Sequence, residues 1–190
     1  MSIQSDVKVG FIADENVADP DRLVVAARPN TSATMAETTF LGGGARNVTV
    51  TTTGTGDNAK TCTITGTDVF GNSITEVIVS TGSAEAVAGA KLFLTVSGVE
   101  CSAQYAANIT VGSGSLCASA VAGGNRTRMK GYSIVSAGTA GLVDFYNGTP
   151  EDGTIIFKAQ TLGTDNTTID NTIPDEGILF DSGLAISYTV

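Results

Sequence analysis

The chain contains no histidine and no tryptophan. Without histidine it lacks the usual general base near neutral pH and the commonest nitrogen ligand of transition metals. No Ser-His or Cys-His nucleophilic pair can be assembled. Cysteine is scarce: Cys62, Cys101 and Cys117 form an odd set without the paired spacings of a zinc site or a disulfide framework. Cys62, set between threonines in a strand pattern, reads as a buried small hydrophobe. A Cys101–Cys117 bridge requires that their strands pair. This usage suits a protein made in a reducing cytosol. Charge is also sparse, at 15% of residues, with 10 bases against 19 acids. The nearest approach to a basic patch is Arg126, Arg128 and Lys130, alternating on one face of an expected strand. Nucleic-acid binding needs a denser cluster, and an exposed strand face or a contact with an acidic neighbouring subunit is the simpler reading. No apolar run is long enough to span a membrane. Residues 1–10 show no basic segment followed by an apolar one, so no signal peptide is expected.

What is present is threonine, valine and glycine at short intervals. Branched Cβ atoms suit a pleated surface, and glycine supplies turns. From Arg46 onward, alternation is clean: Val48 and Val50 on one face with Thr49 and Thr51 on the other, then Cys62 and Ile64. Strands follow over residues 74–79, over 92–96 (Leu92, Leu94 and Val96 on one face, Phe93 on the other) and over 105–111. Turns are expected at residues 55–58 and 68–72. A small-residue stretch, 118–125, reads as a linker or a crossing segment. A second series follows over residues 129–135, 142–146, 154–159, 167–173, 178–180 and 184–190.

The expected fold is all-β: two small antiparallel β-sandwich or barrel-like modules, residues 46–123 and 124–190, preceded by an extended N-terminal arm, residues 1–45. In the arm, Asp19-Pro20-Asp21 could start a helix, although Val24 and Val25 suit a strand equally. Gly42-Gly43-Gly44 lacks the Lys-Ser or Lys-Thr of a phosphate loop and reads as a turn.

Site chemistry is thin. The acidic groupings are Glu151-Asp152, and Asp175-Glu176 with Asp181. Most lie in expected turns, where solvated carboxylates are ordinary. Asp165, Asn166 and Asp170 lack calcium-loop spacing. The Asn-X-Thr triplets at Asn47, Asn108 and Asn166 read as turn chemistry. Tyr105, Tyr132, Tyr146 and Tyr188 fit strand positions as core or interface anchors. No catalytic residue, cofactor or metal is therefore expected. Apolar residues in the arm need a surface to cover them, either a partner's or the chain's own sandwich. This makes Val7, Val9, Phe11, Leu23, Val24 and Met35 the candidate interface residues.

Two segments carry a resemblance. Residues 64–76, Ile-Thr-Gly-Thr-Asp-Val-Phe-Gly-Asn-Ser-Ile-Thr-Glu, are similar to a TGTDxxGNxxTE hairpin of tailed-bacteriophage structural proteins that precedes a Lys-Phe-type strand, here Lys91-Leu92-Phe93. Residues 173–186, Ile-Pro-Asp-Glu-Gly-Ile-Leu-Phe-Asp-Ser-Gly-Leu-Ala-Ile, resemble the IPxxGIxFxxGLxV ending of small phage virion β-domains, with Ile186 in place of the final valine. The resemblance implies a non-enzymatic virion protein made in the host cytoplasm. The first expectation is a capsid decoration (cement) protein that bridges major capsid subunits, as a trimer or dimer, without contacting nucleic acid or membrane. The alternatives are a neck, tail or fibre-base protein, and a carbohydrate-binding or enzymatic β-module.

Overall fold

A computed structural model of the chain describes residues 17–136, 138–164 and 166–189. Alternating branched residues and closely spaced turns give strands almost throughout. These are β1 (Val24–Ala27), β2 (Ala45–Thr52), β3 (Thr61–Thr67), β4 (Ser73–Val79), β5 (Val87–Phe93), β6 (Thr95–Cys101) and β7 (Ile109–Gly123). The second half supplies β8 (Thr127–Met129), β9 (Gly131–Ser136), β10 (Leu142–Asn147), β11 (Thr154–Gln160), β12 (Thr167–Thr172), β13 (Ile178–Phe180) and β14 (Gly183–Thr189). The protein is all-β, built from antiparallel sheets with no closed barrel.

The largest sheet runs β11-β10-β14-β7-β2-β5, with β1 also on β7. β7, 15 residues long, is its spine. β2 pairs along one side, from Ile109 to Ala118. On the other side β1 holds the start, with Val24 opposite Val111, and β14 holds the end, with Gly183 opposite Gly123. The stretch 118–125 is thus not a linker: its residues to Gly123 are strand. At its start Ala118 is wholly buried with Ala185 and Ala45, beside Val69 and Leu92, so there the small side chain serves close packing.

Two cores flank this layer. In the first, the sheet β4-β3-β6 lays Cys62, Ile64, Ile78, Val96 and Val99 against Val48, Val50, Phe93, Ile109 and Val111. In the second, the strand pairs β9–β12 and β8–β13 lay Met129, Phe180, Tyr132 and Ile134 against Val143, Phe145, Ala159 and Leu184. Tyr132, Phe145 and Phe157 form a tilted aromatic triangle with ring centroids 5.3–5.6 Å apart. Such pairs add to their burial.

Two expected strands are each divided. Residues 92–96 break at Leu94, whose N–H donates to the Thr67 carbonyl at 2.7 Å. β5 therefore belongs to the large sheet and β6 to the small one. Residues 129–135 likewise divide into β8 and β9, which belong to different pairs. Tyr105 precedes β7 in a connection instead of opening it, and is fully buried.

Residues 17–44 lie along the first module. Pro20 starts a turn and β1 follows, so the strand alternative is the one adopted. The Asp19 carbonyl accepts from the Ser113 amide at 2.7 Å, and the main chain of residues 19–21 crosses β7 so closely that a Cβ on Gly112 would stand 2.0 Å from that carbonyl. Farther on, Ala33 N–H donates to Val99, Cys101 N–H to Thr31 and Val96 N–H to Thr38. The segment therefore covers the outer edge of β6, an edge that would otherwise be open to pairing.

Candidate interaction surface and buried anchors

The expected charged sites are engaged within the chain. Arg126 pairs with Asp181 at 3.3 Å and Arg128 with Glu176 at 3.1 Å. Lys130 donates to the Asp175 carbonyl at 2.8 Å. The acidic turn before β13 and the basic strand β8 are thus each other's partners across one strand pair. Asp170 lies exposed on β12, Asn166 occupies a left-handed turn position (φ 58°), and Asp165 lies outside the described residues. Among the described residues, no group of three or more Cys, Asp or Glu is placed to hold a metal ion, and no helix is long and apolar enough to cross a membrane.

The carboxylates with structural consequence are single and buried. Asp57 has no exposed surface. It accepts from Lys60 Nζ at 2.7 Å, Thr52 Oγ1 at 2.9 Å and the amides of Ala106 and Ala107 at 2.6 and 3.0 Å. Burial pushes its carboxyl upward. The Lys60 ammonium, the two amides and the Thr52 hydroxyl outweigh this and hold it well below the usual carboxylate range. Asp68 closes the β3–β4 turn: Oδ1 accepts from the amides of Phe70 and Asn72, and Oδ2 from the Asn72 side chain. That turn sets Phe70 over the junction, where a Cβ on Gly183 would come 3.1 Å from its ring.

Asn47 is no turn residue. It sits buried on β2, where the ladder is irregular toward both neighbours. Its side chain repairs both breaks, donating to the Gly89 carbonyl at 3.1 Å and accepting from the Leu116 amide at 3.1 Å. Gly114 leaves the room, since a Cβ there would lie 2.4 Å from Asn47 Oδ1. Glu151, from the β10–β11 turn, reaches the first half and accepts from the Leu92 amide at 2.8 Å. Burial raises its pKa, only partly offset by the Leu92 amide. Glu76 caps the same edge through the amides of Ala90 and Lys91. Asp57, Asn47 and Glu151 are missed as anchors by pattern reading, because each acts on backbone far away in sequence. The Asp-x-x-Gly-Asn spacing was a legible signal for Asp68 alone.

Of the candidate interface residues, Leu23 and Val24 are wholly buried in the first core and Met35 packs partly buried against it. They meet the chain's own sandwich, the competing expectation. Val7, Val9 and Phe11 lie outside the described residues. A Cys101–Cys117 bridge has no support in the register: Cys117 stands opposite Arg46 and Tyr188, whereas Cys101 stands opposite Cys62.

In the arm, Val17, Val25 and Leu41 stay exposed, and more exposed apolar surface lies in the sheets. β11 is the outermost strand of the large sheet, and no described strand pairs with its outer edge. It exposes Ile155 and Ile156. At one end of the same module, hydrogen bonds between residues 141 and 161 and between 136 and 164 gather exposed Leu142, Leu162 and Val135. Val77 and Val79 stand exposed on the outer face of β4. Comparison with protein-family models, with curated proteins and with solved structures finds no match to this chain.

Proposed function

We propose that this chain is a non-enzymatic virion structural protein of the capsid decoration type, bridging major capsid subunits through strand edges. The observation that carries the reading is β11: a seven-residue outer strand whose outer edge no described strand pairs, with two exposed isoleucines. An open edge with apolar side chains invites addition of a partner's strand, in which main-chain hydrogen bonds give affinity and side-chain pockets give selectivity. Two further features support it. The carboxylates of Asp57, Asp68 and Glu151 serve backbone ties, and residues 64–76 and 173–186 resemble segments of phage structural proteins. Decoration proteins sit at symmetry axes, so a trimer or dimer is the expected working form.

The test is location and copy number. A tagged copy of the full chain, produced where the parental particles assemble, is mapped on purified particles by electron microscopy. Label over the whole shell is the expected result. Label confined to one vertex or to the tail would move the assignment to a neck, tail or fibre-base component. Particles without label would contradict the virion reading.

A further inference from the structure

Cys62 on β3 and Cys101 at the end of β6 are direct cross-strand partners. Their sulfur atoms lie 3.8 Å apart, and Cys62 Sγ also meets the Tyr105 hydroxyl at 3.2 Å. The type of pair matters. The Cys101 amide points away from β3, to the Thr31 carbonyl, while the next residue, Ser102, donates to Thr61 at 3.0 Å. The two cysteines therefore occupy a non-hydrogen-bonded position of the antiparallel ladder. There facing Cα atoms are closest, about 4.5 Å apart, at the short end of the range that disulfides bridge. Closing the sulfurs to about 2.05 Å needs side-chain rotation, not strand movement. Both residues are buried, but Cys101 retains some exposure where the chain leaves the sheet.

We propose that Cys62 and Cys101 form an oxidisable dithiol that closes to a cross-strand disulfide on exposure to a small peroxide. The balance is two thiols and one hydrogen peroxide giving one disulfide and two waters. The Cys62 thiolate attacks a peroxide oxygen and becomes a sulfenic acid with loss of the first water. The Cys101 sulfur then displaces the sulfenyl oxygen, which leaves as the second water with the Cys101 proton. The hydrogen bond with Cys101 lowers the Cys62 pKa against the effect of burial, and that with the Tyr105 hydroxyl helps, while the same contact raises that of Cys101. Of the two sulfurs, Cys62 is therefore the more readily ionised. Cys117 has no part, since it lies on β7, opposite Arg46 and Tyr188.

The experiment exposes the folded full chain to hydrogen peroxide, quenches, denatures, alkylates and maps the peptides. The expected product is a 62–101 linked peptide pair with a mass loss of two hydrogens and Cys117 alkylated. The linked protein should melt higher by roughly 5 °C, since the bond closes a loop spanning 39 positions. Cys117→Ser should leave the product unchanged, while Cys101→Ser and Cys62→Ser should each abolish it. Recovery of both cysteines as alkylated thiols, or a link made only through Cys117, would overturn the proposal. Melting curves of the untreated serine variants show whether each is folded, and the Cys117→Ser and unaltered chains decide the matter if one is not.

Discussion

The two halves of the molecule differ in how completely they close. In the first, residues 31–39 cover the edge of β6, the Glu76 and Glu151 carboxylates cap the edge of β5, and Asp57 ties three segments together without exposed surface. In the second, the core is smaller, the charges pair on the surface, and β11 ends the sheet with nothing described beside it. The difference teaches where each half's free energy goes. The first half's edges are met by side chains, one of them Glu151 lent by the second half, whereas the second half leaves the edge of β11 without a described partner. β7 makes the contrast possible, because it carries both halves in one sheet and lets the closed half brace the open one.

The strongest way to break the comparison is to hollow out each core in turn. Phe93→Ala in the first and Phe180→Ala in the second remove fully buried rings and should each cost about 3–5 kcal/mol. Because β7 is shared, both variants should lower a single unfolding transition in urea. Two separate transitions would mean that the halves unfold independently.

Asp57→Ala comes next, with an expected loss of about 3 kcal/mol, since the Thr52 hydroxyl, the Lys60 ammonium and two amides lose their acceptor. Its pH dependence has a definite sign. The folded carboxyl lies below its unfolded value near 3.8, so its contribution is complete above about pH 4 and is lost as pH falls through the folded value. Urea titrations of Asp57→Asn should show a shallower acid loss than the unaltered chain below pH 4.

Glu151→Gln should have a small effect of the opposite sense. Burial raises this pKa, so the glutamate's contribution is present below about 4.5 and lost as pH rises through the folded value. Its Oε2 is buried without a partner, and glutamine keeps the oxygen that accepts from Leu92. At pH 7 the variant should equal or exceed the unaltered chain by up to about 1 kcal/mol. It should also lack that decline in a denaturation series from pH 4 to 8. Smallest of all, Arg128→Ala removes a solvent-exposed ion pair and should shift stability by less than about 0.5 kcal/mol.

The elements of the fold were largely legible because alternation with turn residues reports strands directly. β13 matches its expected bounds, β4, β10, β11 and β12 differ by one residue at an end, and β14 starts one residue earlier than expected. The failures share a cause. The Leu94 corner, the long course of β7 and the place of Asn47 depend on which strands become neighbours, and local pattern carries no information about pairing. Small residues at 118–123 look like a linker or a crossing until their pairing with β14 is known. The alternation in the arm shows apolar residues that need cover but not what covers them: Leu23 and Val24 find it in the chain's own core, whereas Ile155 and Ile156 are exposed on β11, beside which no described strand lies.

The most direct test of the account places lysine at both Ile155 and Ile156 and measures occupancy on purified particles beside the melting temperature. Both side chains are already exposed, so the fold should hold and the melting temperature should change little. The account predicts a folded protein that no longer occupies the particles. Full occupancy by the folded double variant would contradict it.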